Sequence, residues 1–599
     1  MSPKLHTTSL KEYREFNSSQ SSIVSPVSLV GSDNKNFLSS QPSVPLSVSE
    51  AVVEMLARMG IKYAFGVSGG AIAPLWHTLQ HSSIEVLHFR HESGAAFAAV
   101  EAYFASGHPV VVFTTTGPGI TNALTGLFAA QWEGAKVIFL SPSTSAPQRG
   151  RQAFQETSAY TMSNMGILTS GRLFNYATIL ECSTQLPEVA RRLTFGLRRL
   201  DSFVAHLSIP TAIQTSSVKT SLPGVCLSHA PATVSEDAIA RCTSLLSQGS
   251  FAIWVGFGAR KSAAAIRQLA EKTGAAVMCS PRGKGIFPED HPQFVGVTGF
   301  GGHASVLKYM QEQPPLRTLV LGTRLSELTS FWNTLMIPSG GFIHVDIDPE
   351  VPGTAYPEAV TFSIQSEAEK FVKALLKYFP EPTSQLPRIG LPRPERHVIN
   401  PSAEGPVRPE VLMHLIQLVM VEGSNTVVMA EPGNSLAWAT HHLRFNKPNQ
   451  YRGSTRFSSM GHTVTGVVGA ALARNAKTIA IVGDGAMLMN NEVSTAVRYQ
   501  IPAVWIILND GGYNMCKQGM ALLDYKGVDA EIPQADFARF ACSMGADGIR
   551  VEKESDIQAA LEKAMASTGP FVVDVVIDST QSAPIGSRIQ SLNLQGTRN

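Results

Sequence analysis

Two acidic glycine turns follow neighbouring apolar runs near the carboxyl end of the chain. The run 478–482 stops at Gly483-Asp484-Gly485, and the run 503–508 stops at Asn509-Asp510-Gly511-Gly512. A helix-like segment, 491–499, lies between them. Because a strand–helix–strand unit brings both turns to one end of a parallel sheet, we expect the two carboxylates to lie close together. With backbone groups exposed by glycine, they can hold a hard divalent cation such as Mg2+, which would neutralise a phosphate.

The spacing of the two turns favours a binding site over ordinary loops. Turns are rich in polar residues and glycine for conformational reasons alone, so the first turn by itself fits either interpretation equally well. A matched second turn follows 26 residues later (510 − 484 = 26). This coincidence favours a site for a metal ion and a phosphate.

A third carboxylate, Glu92, opens a helix-like segment in the first part of the chain, within the run Arg-His-Glu-Ser-Gly-Ala-Ala. The small residues that follow it would let another backbone approach closely. Taken alone, a glutamate at this place is explained by the favourable field of a helix N-terminus. The next turn, Thr116-Gly117-Pro118-Gly119, has glycines that would also allow tight backbone contact, with an ordinary strand-to-helix turn as the alternative.

Composition limits the class of protein. The chain has 599 residues and a mass of 64.3 kDa, enough for several domains. Hydrophobic residues make up 44% and charged residues 16%, which fits a large oligomer with much buried surface. The formal net charge of +2 gives no reason to expect nucleic acid or an anionic membrane as partner, and no apolar run reaches the roughly 18 residues of a membrane span.

The targeting and cysteine patterns point to a reducing compartment. The first residues contain two glutamates and no apolar segment of a secretory signal. The six cysteines are scattered without a C-x-x-C pair, so neither a zinc site nor a disulfide framework is indicated. The sequence therefore predicts a cytoplasmic protein.

Alternating strand and helix patterns predict an α/β fold made of three consecutive doubly wound parallel-sheet domains. Three proline-rich or polar stretches separate or flank them. The predicted segments are a polar, disordered tail at 1–45, a first domain at 46–215, a central domain at 230–379, a linker at 380–408, a third domain at 409–580 and a polar tail at 581–599.

Three features together resemble the acetolactate synthase-like family of thiamine-diphosphate-dependent enzymes: the paired acidic turns, the H-E-x-x-A-A-like run at Glu92 and the T-G-P-G turn. The resemblance covers roughly residues 46–580. It implies that the first domain binds the pyrimidine of thiamine diphosphate, that the third binds its diphosphate, and that the central domain is structural or binds FAD. It further implies a homo-oligomer, a dimer at least and a tetramer as an option, because family sites form between two chains.

The same resemblance assigns residues to roles. Glu92 would be the catalytic carboxylate beside the aminopyrimidine, and Met460 would hold the cofactor in a bent shape that brings its reacting atoms together. Two departures are visible, Asp510 where the family has Asn and Ala486 where many relatives have Ser. The metal ligands would be Asp484, Asp510 and Gly512, and the cofactor-binding residues would be Glu92, Gly117, Asn434, Ser458, Met460, Asp484, Gly485, Ala486, Asp510, Gly512, Tyr513 and Met515.

Thiamine-diphosphate chemistry implies attack on a 2-oxo acid and loss of CO2, after which the remaining fragment is protonated, oxidised or joined to a second carbonyl. The segment 141–157 lacks the histidine pair of pyruvate decarboxylase-like enzymes. Its end resembles acetolactate synthases, with Phe154 and Gln155 as candidate pocket residues. This favours carboligation, that is, acyloin or acetohydroxyacid formation.

The substrate side departs from acetolactate synthases, which read G-M-x-x-Q-W after the second turn. Here Gln518 is followed by Gly519, so a large aromatic side chain is missing from the predicted pocket. We therefore expect bulky or aromatic 2-oxo acids, such as the indole-3-pyruvate and 4-hydroxyphenylpyruvate that a pigment-forming acyloin synthase couples. The alternatives are an acetolactate synthase acting on pyruvate and a simple 2-oxo acid decarboxylase. FAD is not expected, because Arg324-Leu325-Ser326-Glu327-Leu328 keeps only the first Arg of the family's R-F-D-D-R.

Overall fold

A computed structural model describes most of the chain after residue 45. The predicted tail at 1–45 and residues 380–389 of the predicted linker lie outside the described residues. In the part that is described, no helix combines the length and apolar character that a membrane crossing needs. The described ranges are 46–162, 166–218, 234–379, 390–395, 399–402, 405–489 and 492–596.

Within these ranges, eighteen strands form three six-stranded sheets. The first contains β1 Tyr63–Gly66, β2 Glu85–His88, β3 Val110–Phe113, β4 Lys136–Ser143, β5 Tyr176–Ile179 and β6 Phe203–Pro210. The second contains β7 Phe251–Val255, β8 Ala276–Cys279, β9 Phe294–Val297, β10 Arg317–Leu321, β11 Phe342–Asp346 and β12 Thr361–Gln365. The third contains β13 Val427–Ala430, β14 Tyr451–Gly453, β15 Thr478–Gly483, β16 Ala503–Asn509, β17 Asp547–Val551 and β18 Phe571–Val576.

The connecting segments are mostly α-helices, as expected for parallel sheets. In chain order they are α1 Val48–Arg58, α2 Ala73–Gln80, α3 Glu92–Ser106, α4 Pro118–Glu133, α5 Ala159–Met162, α6 Leu186–Leu197, α7 Thr211–Gln214, α8 Glu236–Leu246, α9 Ala263–Thr273, α10 Ala304–Glu312, α11 Glu327–Ser330, α12 Ala368–Tyr378, α13 Pro409–Ile416, α14 Asn434–His442, α15 His462–Arg474, α16 Asp484–Met489, α17 Val493–Tyr499, α18 Asn514–Leu522, α19 Phe537–Ser543, α20 Ile557–Ala566 and α21 Gly586–Gly596.

Every strand pair in the three sheets is parallel, which confirms the predicted fold class. The first sheet has the order β2-β1-β3-β4-β6-β5, and the third has β14-β13-β15-β16-β18-β17. These are the same order, although the two sequences show no repeat. In the third sheet the direction of winding reverses between β13 and β15, which is where such sheets form a ligand crevice.

Local sequence explains where the helices begin. Ser47 caps α1, and its hydroxyl and the side chain of Glu50 form a reciprocal capping box. The helix that carries Glu92 begins at that residue, as predicted, runs to Ser106 and ends at Gly107 in a left-handed conformation. Helix α4 begins at Pro118, because proline at a first helical turn has a backbone angle already suited to a helix.

The first and third domains are held together by close packing of α3 against α15. A Cβ atom on Gly469 of α15 would lie 2.0 Å from the carbonyl oxygen of Ala98 in α3, and one on Gly466 would lie 2.8 Å from the side chain of Glu101. Only glycine allows the two helices to approach this closely. The small residues behind Glu92 therefore serve an interdomain contact.

Buried ion pairs also cross between the domains. Glu101 of α3 accepts hydrogen bonds from Arg452 at 2.9 and 3.0 Å and contacts His462 Nε2 at 2.9 Å. Burial alone would raise the pKa of Glu101, but the charge of Arg452 and the hydrogen bond with His462 hold it below its usual value. Glu133 of α4 pairs in the same way with Arg282 of the central domain at 2.7 Å. Such pairs are costly to break because the remaining charge stays buried.

The segment 581–599 is not a tail along its described part, contrary to the sequence-based expectation. Residues 586–596 form α21, and Ala583, Ile585 and Ile589 are buried in the core of the third domain. Apolar side chains at positions 585 and 589 lie one helical turn apart, so one face of the helix can pack. The polar residues around them hid this pattern in the sequence.

Replacing Glu101 by alanine should destabilise the protein by about 3 kcal/mol or more, because Arg452 would be left buried without its counterion. Thermal unfolding followed by tryptophan fluorescence measures the change. The matched control is Glu188→Ala, which removes a carboxylate from exposed ion pairs with Arg191 and Arg192 and should leave the midpoint near that of the wild type. Equal midpoints for the two variants would contradict a structural role for the buried pair.

Candidate active site

A cavity of about 590 Å³ opens at the crevice between β13 and β15. All of the third-domain residues predicted to bind the cofactor line it. They are Asn434, Ser458, Met460, Asp484, Gly485, Ala486, Asp510, Gly512, Tyr513 and Met515. The tertiary structure thus gathers side chains from four separate strand ends around one space.

Asp484 connects the two acidic turns. Its Oδ1 accepts a hydrogen bond from the backbone N–H of Gly485 at 2.7 Å. Its Oδ2 accepts from the N–H groups of Gly511 at 2.7 Å and Gly512 at 3.3 Å. The predicted helix-like segment 491–499 corresponds to α17, and the short helix α16, which begins at Asp484 itself, was not predicted. Backbone groups of both turns hold the Asp484 carboxylate.

Burial disfavours the charged form of both aspartates, and the charge of Asp484 further disfavours that of Asp510. Burial raises the pKa of Asp484 above its usual value. Burial and then the nearby charge of Asp484 raise the pKa of Asp510 to about 7. A cation between the two carboxylates would relieve both effects, which is the electrostatic situation of a metal site.

Protein carboxylates alone do not complete a metal site here. In the described ranges no group of three or more His, Cys, Asp or Glu residues could hold a metal ion. Mg2+ usually binds through one or two carboxylates plus substrate phosphates and water. Asp484, Asp510 and the carbonyl of Gly512 fit that incomplete set, in which a diphosphate supplies further oxygens.

The side chain of Asn434 has a buried oxygen without a hydrogen-bond partner among the described residues. Its Oδ1 makes no hydrogen bond to any described residue, whereas its Nδ2 donates to Gln518 Oε1 at 3.4 Å. Just before it, Gly433 has a φ of +125°, and a Cβ there would meet no described atom within 4 Å. The segment after β13 therefore leaves open space and an unpaired polar atom beside the acidic turns. These residues fit a bound diphosphate with its metal.

Met460 lies on a loop whose shape is held by Glu431. The carboxylate of Glu431 accepts hydrogen bonds from the N–H groups of Gly461 at 2.6 Å, Thr463 at 2.7 Å and Val464 at 3.2 Å. Burial raises the pKa of Glu431 to about 7. Ser458, in the same loop, has a φ of +52°, a strained conformation for a residue other than glycine. Sequence reasoning missed Glu431, although it lies only three positions before Asn434.

The first-domain residues form a second cluster. Glu92 is 8% exposed, and its Oε2 accepts a hydrogen bond from Asn122 Nδ2 at 3.1 Å. Gly117 packs against Gln155, whose Oε1 accepts from the Thr116 hydroxyl at 3.3 Å. Asn122 was not among the predicted site residues, although it lies just after the T-G-P-G turn.

This first-domain cluster does not line the cavity. Among the described residues that line it, Glu92, Gly117, Phe154 and Gln155 are absent. Phe154 is 90% exposed. One chain therefore presents two separate half-sites.

Glu492 ties the helix of Glu92 to the third domain. Its carboxylate accepts hydrogen bonds from the backbone N–H groups of Arg90 at 3.1 Å and His91 at 3.1 Å, and from the Thr495 hydroxyl. Glu492 is fully buried, and burial raises its pKa. The acidic strand–helix–strand unit thus fixes the start of α3, and the sequence offered no sign of this contact because the partners are about 400 residues apart.

Gln518 and Gly519 face the C-terminal segment instead of the cavity. Gln518 Oε1 accepts from the N–H of Ala583 at 3.1 Å, and its Nε2 donates to the carbonyl of Gln581 at 2.8 Å. Gly519 is buried, and a Cβ on it would lie 3.1 Å from Cδ1 of Ile589.

The remaining wall comes from residues that sequence reasoning did not assign to the site. Arg324, Ser326, Glu327 and Leu328, in the segment considered for FAD, line the cavity together with Trp132, Phe300, Arg456 and Arg588. Three arginines, Arg324, Arg456 and Arg588, therefore line this otherwise largely apolar side of the cavity. In the sequence, only the comparison with R-F-D-D-R drew attention to any of this segment.

Comparisons with known proteins agree with this arrangement. The family model "Thiamine pyrophosphate enzyme, N-terminal TPP binding domain" matches residues 46–162, the central-domain model matches 240–375, and the C-terminal TPP binding domain model matches 431–575. A probable acetolactate synthase large subunit of Methanocaldococcus jannaschii is 27% identical, over 91% of this chain and 94% of its own length. Acetolactate synthase isozyme 1 large subunit of Escherichia coli is 27% identical, over 89% and 94%.

A solved structure shows the same fold. The thiamine diphosphate-dependent 4-hydroxybenzoylformate decarboxylase of Rhodococcus jostii RHA1 aligns with a TM-score of 0.77 and 20% identity, covering 89% of this chain and 100% of that one. Family models match all three domains, and the curated relatives match along nearly their whole length. The chain therefore belongs to the thiamine pyrophosphate enzymes, as an acetolactate synthase-like member.

Proposed function

We propose that the protein uses thiamine diphosphate and Mg2+ to decarboxylate a 2-oxo acid and to join the remaining fragment to a second carbonyl compound. The observation that carries this proposal is the cavity that contains all ten predicted third-domain residues, with Asp484 bridging the two acidic turns. When bound, thiamine diphosphate supplies a carbon nucleophile and a place for the electrons released with CO2. Asp484, Asp510 and the Gly512 carbonyl would hold its metal, and Asn434 its diphosphate.

Glu92 is suited to hold a proton at the aminopyrimidine. It is nearly buried, and the described contacts leave it one side-chain hydrogen bond, from Asn122. A general acid–base group of this kind contributes roughly 10²- to 10⁴-fold to rate. Glu492 would be a positioning residue: it accepts hydrogen bonds from the two backbone N–H groups that precede Glu92 and so holds the start of α3 in place.

The wall of the cavity suits an anionic substrate with an apolar body. Arg324, Arg456 and Arg588 can attract the carboxylate of a 2-oxo acid, and Phe300 and Trp132 offer apolar contact. We propose bulky or aromatic 2-oxo acids, such as indole-3-pyruvate and 4-hydroxyphenylpyruvate, as substrates. Acetolactate formation from pyruvate is the second candidate, because Ile589 occupies space next to Gly519 that the sequence left open.

We further infer that two chains build each site. Glu92 and the cavity form separate clusters in the described chain, and each has exposed aromatic side chains beside it, Phe154 near the first and Tyr513 near the second. Pairing of two copies would bring Glu92 of one to the cavity of the other and cover these rings. Family enzymes are generally oligomeric, which agrees with this inference.

The first test is turnover of a panel of 2-oxo acids, supplied singly and in pairs with thiamine diphosphate and Mg2+, with products identified by mass spectrometry. We expect acyloin products from aromatic 2-oxo acids and CO2 release that falls by at least about 100-fold in Glu92→Gln. Glu54→Gln, which alters an exposed carboxylate paired with Arg58, serves as the control and should keep full activity. Full activity of Glu92→Gln would refute the proposed role.

Mixing two inactive variants tests the shared site. Chains with Glu92→Gln and chains with Asp484→Ala should each be inactive as homodimers. Dissociated and reassembled together, they should regain roughly a quarter of wild-type activity, since half of the dimers then carry one intact site of two. If no activity returns although mixed dimers are detected by native mass spectrometry, each site lies within one chain.

Substitution of Asp510 tests whether this residue binds the metal or serves only the structure of the turn. Asp510→Asn should keep Mg2+-dependent cofactor binding, because its amide oxygen can still bind the metal and the repulsion from Asp484 is gone. Asp510→Ala should raise the Mg2+ concentration required by about tenfold or more, since one ligand is lost. Titration of thiamine diphosphate binding by tryptophan fluorescence at a series of Mg2+ concentrations measures both. Identical Mg2+ requirements for the alanine variant and the wild type would remove Asp510 from the metal site.

A further inference from the structure

The loop between β14 and α15 carries Arg456, which lines the cavity together with Trp132. The guanidinium carbon of Arg456 lies 5.4 Å from the centroid of the Trp132 ring, within the range of a cation–π contact. Its Nη1 donates a hydrogen bond to the Trp132 carbonyl, and its backbone N–H donates to Glu133 Oε1 at 3.1 Å. The last turn of α4 therefore holds this guanidinium in place at the wall of the cavity.

Ion pairing distinguishes Arg456 from the other two arginines of the cavity. Arg588 pairs with Glu327, and Arg324 Nη2 lies 3.3 Å from Asp348 Oδ2. Within the described ranges, Arg456 forms no ion pair, and its side chain makes one hydrogen bond, to a backbone carbonyl. A guanidinium has several N–H donors, so most of those on Arg456 are left for a ligand.

The surrounding charges compensate that of Arg456 only in part. Burial and then the charge of Arg324 lower its pKa to about 10, and Arg282 acts in the same direction. Glu133 and Asp346 raise the pKa in part, but Glu133 already pairs with Arg282 at 2.7 Å. A bound anion would stabilise the charged form of the guanidinium, so this part of the wall is suited to a carboxylate.

The proposed reaction offers two carboxylates with different fates. One 2-oxo acid, the donor, loses its carboxylate as neutral CO2, so a cation bound to that group would lose its partner in the transition state and would oppose the step. A second 2-oxo acid, the acceptor, keeps its carboxylate. The new C–C bond joins the two carbonyl carbons, and the acceptor's carbonyl oxygen takes up a proton. Two 2-oxo acids and one proton thus give CO2 and one 2-hydroxy-3-oxo acid.

We propose that Arg456 binds the carboxylate of the acceptor and so makes the enzyme prefer 2-oxo acids to aldehydes as acceptors. This inference rests on the proposed function, because it assigns a role within the same cavity. A cation on the acceptor's carboxylate keeps its partner throughout the ligation and can orient the acceptor's carbonyl carbon. The Trp132 ring, which is 48% exposed, lies next to the guanidinium and can contact the apolar body of the same molecule.

A competition between two acceptors tests the proposal. Indole-3-pyruvate is supplied with equal amounts of 4-hydroxyphenylpyruvate and ring-deuterated 4-hydroxyphenylacetaldehyde, which have the same body with and without a carboxylate. Mass spectrometry at initial rates gives the ratio of unlabelled to deuterated ligation product, and the label assigns each product even if CO2 is lost later. We expect Arg456→Met to lower this ratio by about tenfold or more, because the charge-assisted hydrogen bonds to the acid are lost.

The ratio does not depend on total activity, so it remains informative in a weakened enzyme. Arg456→Lys keeps the charge and should lower the ratio less than Arg456→Met does. The control is Arg267→Met, which removes an exposed arginine paired with Glu271 and should leave the ratio unchanged. Equal ratios for Arg456→Met and the wild type would overturn the inference, and so would a larger fall in Arg324→Met or Arg588→Met.

A binding measurement tests whether Arg456 only supports the loop through its bond to Trp132. Isothermal titration of the Glu92→Gln enzyme, loaded with thiamine diphosphate and Mg2+, compares 3-phenylpropionate with 3-phenylpropanol. Adding Arg456→Met should weaken binding of the carboxylate by about tenfold and leave binding of the alcohol unchanged. Equal losses for both ligands would indicate a structural role and refute the inference. A wild type that forms no ligation product from any pair of substrates would instead overturn the proposed function.

Discussion

Repulsion of the half-buried Asp510 carboxylate by the buried Asp484 shapes the centre of this protein. Two parallel strands end side by side, and their turns place the acids where burial opposes both charges. Three backbone N–H groups on Asp484 offset part of that cost. The divalent cation and phosphate that we propose would offset the remainder, and one electrostatic requirement would then account for both the acids and the glycines of the turns.

Anchoring of α3, the helix that carries Glu92, follows from the same strand–helix–strand unit. Glu492 comes eight residues after Asp484 (492 − 484 = 8) and binds the backbone just before Glu92. Behind this contact, Gly469 lets α15 approach α3, and Glu101 is neutralised by Arg452. The acidic unit that faces the cavity on one side therefore holds, on the other, the start of the helix that carries Glu92, the carboxylate we propose to be catalytic. In a paired assembly, each chain would contribute its two half-sites through one rigid block.

The C-terminal helix changes how the cavity should be understood. From the sequence, Gly519 was an opening left by a missing aromatic ring, and the last residues were a polar tail. In the structure those residues return to the third domain, and Ile589 stands over Gly519. Glu327 fastens the helix to the central domain. A side chain at position 519 would therefore meet Ile589, a residue of a distant segment.

Sequence alone was sufficient for the three parallel sheets and for the residues around the acidic turns. Buried parallel strands are continuous apolar runs whose ends must converge, so Asp484 and Asp510 could be grouped from their positions in the chain, and the family resemblance added Asn434. Glu431 and Glu492 could not be assigned, because their partners are backbone N–H groups that carry no sequence signal. The position of Ile589 was equally hidden, since it depends on how a largely polar segment folds back, and only tertiary packing decides which distant side chain fills the space beside a glycine.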